Sequence, residues 1–291
     1  MTPPAFEYHA PATAEDAVAL LADLGDAAKL IGGGQSLVPM LALRLAVFDH
    51  LIDLRHVSEL RGITASTDSV RIGALTTHPE VGASEEVRRA IPLLAQATPL
   101  IGDLQIRTLG TIGGAIAHAD GAAEYPAVAL TLDAQIETLS PRGRRTIPAS
   151  EFFTGMWATD LDIDEIVTAI TFPVWHGHCG FAIEEFSRRS GDFAMAGATV
   201  ALRLDENSRI DHCAVGLFGL TPQPMRAQVL QAAPTGRPIH AVAAEAVGAA
   251  ATAGLHSLPS DVNGSAAYRR RMGAEMVERA WRRAVQEASI D

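Results

Sequence analysis

The chain has 291 residues, of which 48% are hydrophobic and 20% are charged, and its formal net charge is −11. This is the composition of an ordinary globular protein with room for two or three compact units, and the negative charge argues against nucleic acid as the main partner. Only Cys179 and Cys213 supply thiols and no CxxC motif occurs, which excludes a disulfide scaffold and an iron–sulfur cluster held by this chain alone. The first residues lack a secretory signal and no apolar run could span a membrane, so a cytoplasmic protein is expected.

The first predicted elements lead into a run of three glycines. Thr13 is expected to cap a helix that ends at Gly25. Residues 29–31 are predicted to form a short strand that enters the glycines. After them, the pattern predicts a helix from Ser36 to Leu45 and a second strand from His50 to Leu54.

The glycine run stands in the sequence Leu30-Ile31-Gly32-Gly33-Gly34-Gln35-Ser36-Leu37. Glycine lets the backbone turn tightly and approach a ligand, and the N–H groups of such a turn suit a phosphate oxygen. The signal is weak alone, because neither the Walker loop nor the Rossmann fingerprint is matched. A second loop, Gly110-Thr111-Ile112-Gly113-Gly114, strengthens it, since two glycine loops can hold a diphosphate from both sides.

The middle of the chain is predicted to alternate strands with short helices. A domain boundary is expected between residues 58 and 67. Beyond it we predict a strand over 70–74, a helix beginning at Thr77 and helical pieces over 91–101, which prolines interrupt. After the second glycine loop come an alanine-rich segment over 115–132, a hairpin over 134–147 and a strand over 166–172.

The last third is predicted to be an antiparallel sheet followed by helices. Its strands are expected at 181–186, 196–204 and 210–220, and its helices at 225–232, 239–253 and 265–288. The last helix has an apolar face and six arginines, at positions 269, 270, 271, 279, 282 and 283. Two compatible interpretations of this helix are packing on its own sheet and a basic docking face.

Three polar stretches outside the glycine loops could carry chemistry. For His118-Ala119-Asp120, a polar loop beside the glycines is favoured over a metal or acid–base site. His176, His178 and Cys179 lie close together, but an exposed loop is favoured over a metal site. Phe193 either packs in the core or shields a planar ligand, and the sequence alone leaves both open. No Ser/His/Asp or Cys/His set has catalytic spacing, so no catalytic side chain and no metal ligand is predicted.

Four motifs together resemble one family. They are Lys29-Leu-Ile-Gly-Gly-Gly-Gln-Ser-Leu-Val-Pro-Met40, Ile72-Gly-Ala-Leu-Thr-Thr-His78, Thr111-Ile-Gly-Gly-Ala-Ile-Ala-His-Ala-Asp120 with Ala-Ala-Glu-Tyr-Pro126, and Arg188-Arg-Ser-Gly-Asp192. In this order and spacing they resemble the FAD-binding medium subunit of the molybdenum hydroxylases, the family of xanthine dehydrogenase and aerobic carbon monoxide dehydrogenase. The resemblance covers the whole chain and does not specify a substrate.

The resemblance implies an α+β fold and a set of FAD-binding residues. The fold would be a two-lobed vanillyl-alcohol-oxidase-type (PCMH) FAD-binding fold over 1–57 and 58–176, with a C-terminal domain of three antiparallel strands and a helical bundle over 177–291. The implied FAD-binding residues are Leu30, Ile31, Gly32, Gly33, Gly34, Gln35, Ser36, Leu37, Ile101, Thr111, Ile112, Gly113, Gly114, Ala115, Glu124, Val167 and Phe193. The chain departs from the family pattern at Glu184 and Glu185, where many relatives carry a lysine nearby, and at Ala115, where asparagine is common.

The function implied by the resemblance is electron relay. A large partner subunit would hold molybdopterin and hydroxylate the substrate, and a small partner subunit would pass electrons from iron–sulfur clusters to FAD on this chain. An external acceptor would then remove them. Two alternatives are a stand-alone flavin oxidase or dehydrogenase that acts on a small alcohol or acid, and a nucleotide-binding regulatory or scaffold protein without redox activity.

Overall fold

The first part of the chain forms a small parallel sheet around one helix. The computed structural model describes residues 2–228, 230 and 234–290. In its first sheet the strand order is β1-β3-β2, and both pairings are parallel. The strands are β1 (Glu7–His9), β2 (Ala28–Ile31) and β3 (His50–Asp53), and helix α1 (Ala14–Leu24) packs on β2 and β3.

The predicted start and end of α1 are confirmed. The Asp16 backbone N–H donates to Thr13 Oγ1 over 3.1 Å, and Gly25 ends the helix with a φ of +55°. Helix α2 (Leu37–Ala42) is shorter than the predicted helix from Ser36 to Leu45. Shortly beyond the observed end, Arg44 has a left-handed φ of +58°, which a continuing helix cannot accommodate.

The second sheet has five strands in the order β4-β5-β10-β6-β7, and every neighbouring pair is antiparallel. Its strands are β4 (Ile63–Ala65), β5 (Ser69–Gly73), β6 (Gln135–Ser140), β7 (Gly143–Pro148) and β10 (Ile166–Pro173). Between β7 and β10 in sequence, β8 (Phe153–Gly155) and β9 (Ala158–Thr159) form a separate two-stranded sheet. The predicted hairpin and the strand at 166–172 are therefore confirmed.

Seven short helices accompany the second sheet. They are α3 (His78–Ala83), α4 (Glu85–Ala90), α5 (Pro92–Ala97), α6 (Leu104–Leu109), α7 (Ile112–His118), α8 (Glu124–Thr131) and α9 (Ala149–Phe152). The helical pieces predicted over 91–101 are confirmed, and Pro92 stands in the first turn of α5, where its missing N–H costs no hydrogen bond. Helix α8 is buried along its whole length and packs on α5, α7 and α9 as well as on the third sheet, described next.

The third sheet has four strands in the order β11-β12-β13-β14. They are β11 (His178–Phe186), β12 (Ala196–Leu204), β13 (Ile210–Phe218) and β14 (Met225–Arg226), all paired antiparallel. The prediction of three strands followed by a helix from 225 is therefore wrong at Met225 and Arg226, which extend the sheet instead. The rest of that predicted helix includes 229, 231 and 232, which lie outside the described residues.

Two helices follow the third sheet in sequence. Helix α10 (Ala244–Ala253) is preceded by a 3-10 turn over Ile239–Ala241, so the predicted helix over 239–253 is divided in two. Helix α11 (Ala266–Ala288) packs on β11 and β12. Its backbone touches the sheet at Gly180, where an added Cβ would lie 1.8 Å from the Ala284 carbonyl oxygen. Of the described helices, none has the length and apolar character that crossing a bilayer requires.

The arginines of α11 mostly make contacts within the chain. Arg269 forms an ion pair with Asp261 at 2.8 Å and donates to the carbonyls of Met195 and Gly219. Arg270, Arg279, Arg282 and Arg283 also have carboxylate or carbonyl partners. Of the two interpretations of this helix, the observed contacts therefore favour packing and ion pairing within the chain over a basic docking face.

Candidate functional site

A cleft of about 690 Å³ has walls from both of the first two sheets. Every predicted site residue lines it except Ile112, whose side chain is fully buried in the core. Ile112 therefore affects the cleft only through its backbone, which is part of the second glycine loop. A cleft of this volume is in the usual range for a cofactor or small-molecule site.

The first glycine loop connects β2 to α2 and leaves its amides open. The six backbone N–H groups of residues 32–37 donate no hydrogen bond within the described part of the chain. Gly34 takes a φ of +73°, and the Gln35 side chain closes the turn by donating from Nε2 to the Gly33 carbonyl over 3.0 Å. Consecutive amides without internal acceptors form a concavity suited to an anionic group such as a phosphate.

The second glycine loop is bonded differently. The Ile112 N–H donates to Thr76, Gly113 to Ala74, Gly114 to Thr111 Oγ1 and Ala115 to the Thr111 carbonyl, at distances between 2.8 and 3.1 Å. Gly113 has no room for a side chain, since an added Cβ would lie 2.4 Å from the Ala74 Cβ. The second loop is braced against the end of β5, and its amides from 112 to 115 already have acceptors within the chain, whereas those of 32–37 have none among the described residues.

The two loops nevertheless touch each other. An added Cβ on Gly33 would lie 2.0 Å from the Leu109 carbonyl oxygen and 2.9 Å from the Gly110 Cα. At Gly32 the corresponding distance to Thr111 Oγ1 is 3.2 Å. Bare backbone at 32 and 33 therefore lets the second loop support the first from behind.

A buried carboxyl, that of Glu124, lies in the cleft wall. Glu124 begins α8 with 8% of its surface exposed, and burial together with the nearby Glu185 and Asp120 carboxyls raises the pKa of Glu124 to about 8. Burial also raises the pKa of Glu185 to about 7, and Glu185 Oε2 has no partner among the described residues. At neutral pH, Glu124 therefore presents a protonated carboxyl that can donate a hydrogen bond into the cleft.

This arrangement predicts that Glu124 makes the cofactor-free chain less stable as pH rises. The unfolded carboxyl releases its proton near its ordinary pKa of 4.5, whereas the folded one holds it to about pH 8. Between those values the unfolded state binds fewer protons, so the free energy of unfolding falls with rising pH, by about 3–5 kcal/mol in total. Glu124→Gln should remove this loss in urea unfolding measured at several pH values. Glu151→Gln, an exposed glutamate on α9, serves as control, and parallel pH curves for wild type and Glu124→Gln would contradict the assignment.

An aromatic residue that the sequence did not single out also lines the cleft. Trp157 has a left-handed φ of +52°, stacks on His118 with ring centroids 6.2 Å apart and donates from Nε1 to Asp120 over 3.3 Å. A non-glycine residue in that conformation is often held there for function. The polar stretch predicted at 118–120 therefore belongs to the cleft wall, because the side chains of His118 and Asp120 both contact Trp157.

Phe193 lies at the surface of the cleft. Its side chain is 71% exposed, so the interpretation that it packs in the core is wrong. Ile101 is half-buried and Val167 is buried, and both supply apolar surface to the same cleft. An exposed phenyl ring beside an apolar wall suits contact with a planar ligand.

The remaining sequence candidates have other roles. His178 and Cys179 are consecutive residues of β11 and so point to opposite sides of the sheet, while His176 lies 3.7 Å from Asp68. Glu184 pairs with Arg283 of α11. Glu184 is thus explained by packing between the sheet and its helix, whereas Glu185 lies close enough to Glu124 to raise the pKa of that carboxyl.

The cleft fits a dinucleotide cofactor. Open amides suit a diphosphate, the glycine backbone leaves room for it, and the apolar and aromatic wall suits a planar ring system. Two family models match the chain: an FAD binding domain in molybdopterin dehydrogenase over residues 4–175, and a CO dehydrogenase flavoprotein C-terminal domain over residues 181–284.

Full-length relatives agree with these family models. The carbon monoxide dehydrogenase medium chain of Hydrogenophaga pseudoflava is 40% identical, covering 96% of this chain and 97% of the relative. The alpha subunit of the 6-hydroxypseudooxynicotine dehydrogenase complex of Paenarthrobacter nicotinovorans is 37% identical, covering 99% and 97%. The structure of carbon monoxide dehydrogenase from H. pseudoflava matches with a TM-score of 0.95 over 99% of both chains, and quinoline 2-oxidoreductase from Pseudomonas putida 86 with 0.93 at 32% identity over 100% of both. The chain therefore belongs to the family of FAD-binding medium subunits of the molybdenum hydroxylases.

Proposed function

We propose that this chain binds FAD between two lobes and relays electrons from the iron–sulfur clusters of a small partner subunit to an external acceptor. A large partner subunit would carry the molybdopterin and hydroxylate the substrate. The lobes are residues 1–57 and 58–176 of a vanillyl-alcohol-oxidase-type (PCMH) fold, residues 177–291 form the C-terminal domain, and the complex works in the cytoplasm. The observation that carries the proposal is the run of six open amides at 32–37, supported from behind by the second glycine loop.

Each group of cleft residues has a separate task in this proposal. The amides of 32–37 hold the diphosphate, and Thr111 to Ala115 fix the position of that loop. Ile101 and Val167 exclude water from the apolar wall, and Phe193 covers the flavin. Protonated Glu124 donates a hydrogen bond to a polar group of the cofactor. Bound FAD supplies a two-electron store that can exchange electrons singly with iron–sulfur clusters.

The stand-alone oxidase is the weaker alternative, because it needs a base over the flavin and two buried acid–base groups of the cleft, His78 and Glu124, are poor bases at neutral pH. Burial and the nearby Arg107 lower the pKa of His78 to about 4, and His78 is only 3% exposed. Glu124 holds its proton at neutral pH. The relatives named above are also subunits of larger enzymes, by their own names, which supports the electron-relay reading.

Co-expression tests this function. The chain is produced together with a large molybdopterin-binding and a small two-cluster subunit from the same source, and purified through a removable tag on this chain. We expect a yellow-brown complex whose flavin absorbance bleaches on adding one of carbon monoxide, a purine, an N-heterocycle or an aldehyde, and recovers with an oxidant. A colourless chain that refuses added FAD would overturn the proposal. Bleaching of the isolated chain by a small alcohol or acid would favour the stand-alone oxidase.

A further inference from the structure

Three potential metal ligands converge on the first sheet, on β1 and the start of β3. His9 Nε2 lies 3.1 Å from His50 Nδ1, and Glu7 Oε2 lies 3.5 Å from the same His50 nitrogen. One ligand atom of each residue lies within 4.8 Å of both others. Of the groups of His, Cys, Asp and Glu among the described residues, this alone meets that criterion.

Strand pairing explains the cluster. Glu7 and His9 are two apart on β1, so their side chains share one face of the sheet. His50 is the register partner of Glu7 on β3 and lies on that same face. The two imidazole rings meet at a tilt of 44° with centroids 5.3 Å apart, which brings a nitrogen of each ring to a common point.

We propose that Glu7, His9 and His50 bind one divalent transition-metal ion of the zinc type. Zinc in proteins is tetrahedral with Zn–N distances near 2.0–2.1 Å, which places neighbouring ligand atoms about 3.3 Å apart. The observed 3.1 and 3.5 Å bracket that distance. Two imidazoles and one carboxylate suit zinc, whereas calcium and magnesium require oxygen ligands.

The position of the site indicates a structural role. Strand β1 is a three-residue edge strand held by its pairing with β3, and the metal would join the two strands through their side chains. His50 begins β3 and is paired with the first residue of β2, whereas the first glycine loop leaves the carboxyl end of β2, and none of the three ligands lines the cleft. The ion would thus stabilise the sheet that carries the glycine loop without reaching the cleft.

Zinc titration of the FAD-loaded full-length chain tests the site. The protein carries no polyhistidine tag, is first treated with a chelator, and is titrated with zinc sulfate by calorimetry. We expect one ion per chain and a rise in the unfolding temperature with zinc. His9→Gln and His50→Gln should each weaken binding at least tenfold and abolish that rise. His56→Gln, an exposed histidine of the same lobe, should bind as wild type.

Controls separate loss of the site from loss of the fold. Glu7 is 76% exposed, so Glu7→Gln should weaken zinc binding while circular dichroism and flavin content remain unchanged. Equal zinc affinity in wild type and in all three ligand variants would overturn the proposal. Absence of zinc binding by the wild type would also overturn it and would leave His9 and His50 as a hydrogen-bonded pair only. Neither result bears on FAD binding, since the flavin spectrum is recorded on the same samples.

Discussion

Gly33→Ala is expected to yield a folded chain that retains almost no FAD. The added Cβ would lie 2.0 Å from the Leu109 carbonyl oxygen, a backbone atom that cannot rotate away as a side chain could. The first loop must therefore move off the second, and its amides lose the positions that hold the diphosphate. The first sheet itself is not compressed, because the clash falls on the loop between β2 and α2.

Flavin absorbance per mole of purified protein measures this effect, and thermal unfolding shows whether the chain still folds. Gly155→Ala is the matched control, since its Cβ would make an ordinary 3.6 Å contact with the Ala158 Cβ. A Gly33→Ala protein with one flavin per chain would contradict the assignment of the first loop. Loss of both the flavin and the fold would show that the substitution destabilises the first sheet and does not act on the loop alone.

Trp281→Ala should lower the free energy of unfolding of the C-terminal domain by about 3–5 kcal/mol. Trp281 is 1% exposed and is the largest fully buried side chain of the core between α11 and the third sheet. The backbone contact at Gly180 already fixes the separation of helix and sheet, so the chain cannot easily collapse into the cavity left by the indole. Incomplete collapse is what makes such truncations costly.

Urea unfolding followed by circular dichroism measures this loss, with Val262→Ala as control because Val262 is 91% exposed. We expect the control to change stability by less than about 0.5 kcal/mol. Flavin content should remain normal in folded Trp281→Ala protein, since Trp281 does not line the cleft. A loss below about 1 kcal/mol would mean that the helix repacks on the sheet more freely than the structure indicates.

Local sequence signals predicted much of the framework. The Thr13 cap and the Gly25 stop bracket α1 because their effects depend only on nearby backbone groups. The hairpin of the second sheet follows from alternation of apolar and polar residues, and the long strands of the third sheet follow from short apolar runs. The glycine runs predicted the position of the cleft, because consecutive glycines indicate backbone that turns tightly or that a ligand approaches closely.

Features that depend on distant partners could not be predicted. Met225 and Arg226 form a strand only because β13 offers an open edge, which local helical propensity does not reveal. The amides of 112–115 are consumed by Ala74, Thr76 and Thr111, and only the folded chain shows this. The cluster of Glu7, His9 and His50 likewise depends on the register between β1 and β3.

The two glycine loops differ in the bonding of their amides, and this difference makes hydrogen exchange in the first loop a reporter of cofactor binding. An amide without an acceptor exchanges its hydrogen for solvent deuterium far faster than one that is bonded and protected by structure. Residues 32–37 should therefore label quickly in cofactor-free protein and slowly once their N–H groups meet a phosphate, while 112–115 label slowly in both. Deuterium uptake by a peptide that spans residues 32–37 then measures the fraction of chains that hold FAD. Absorbance from cofactors in other subunits does not affect this value.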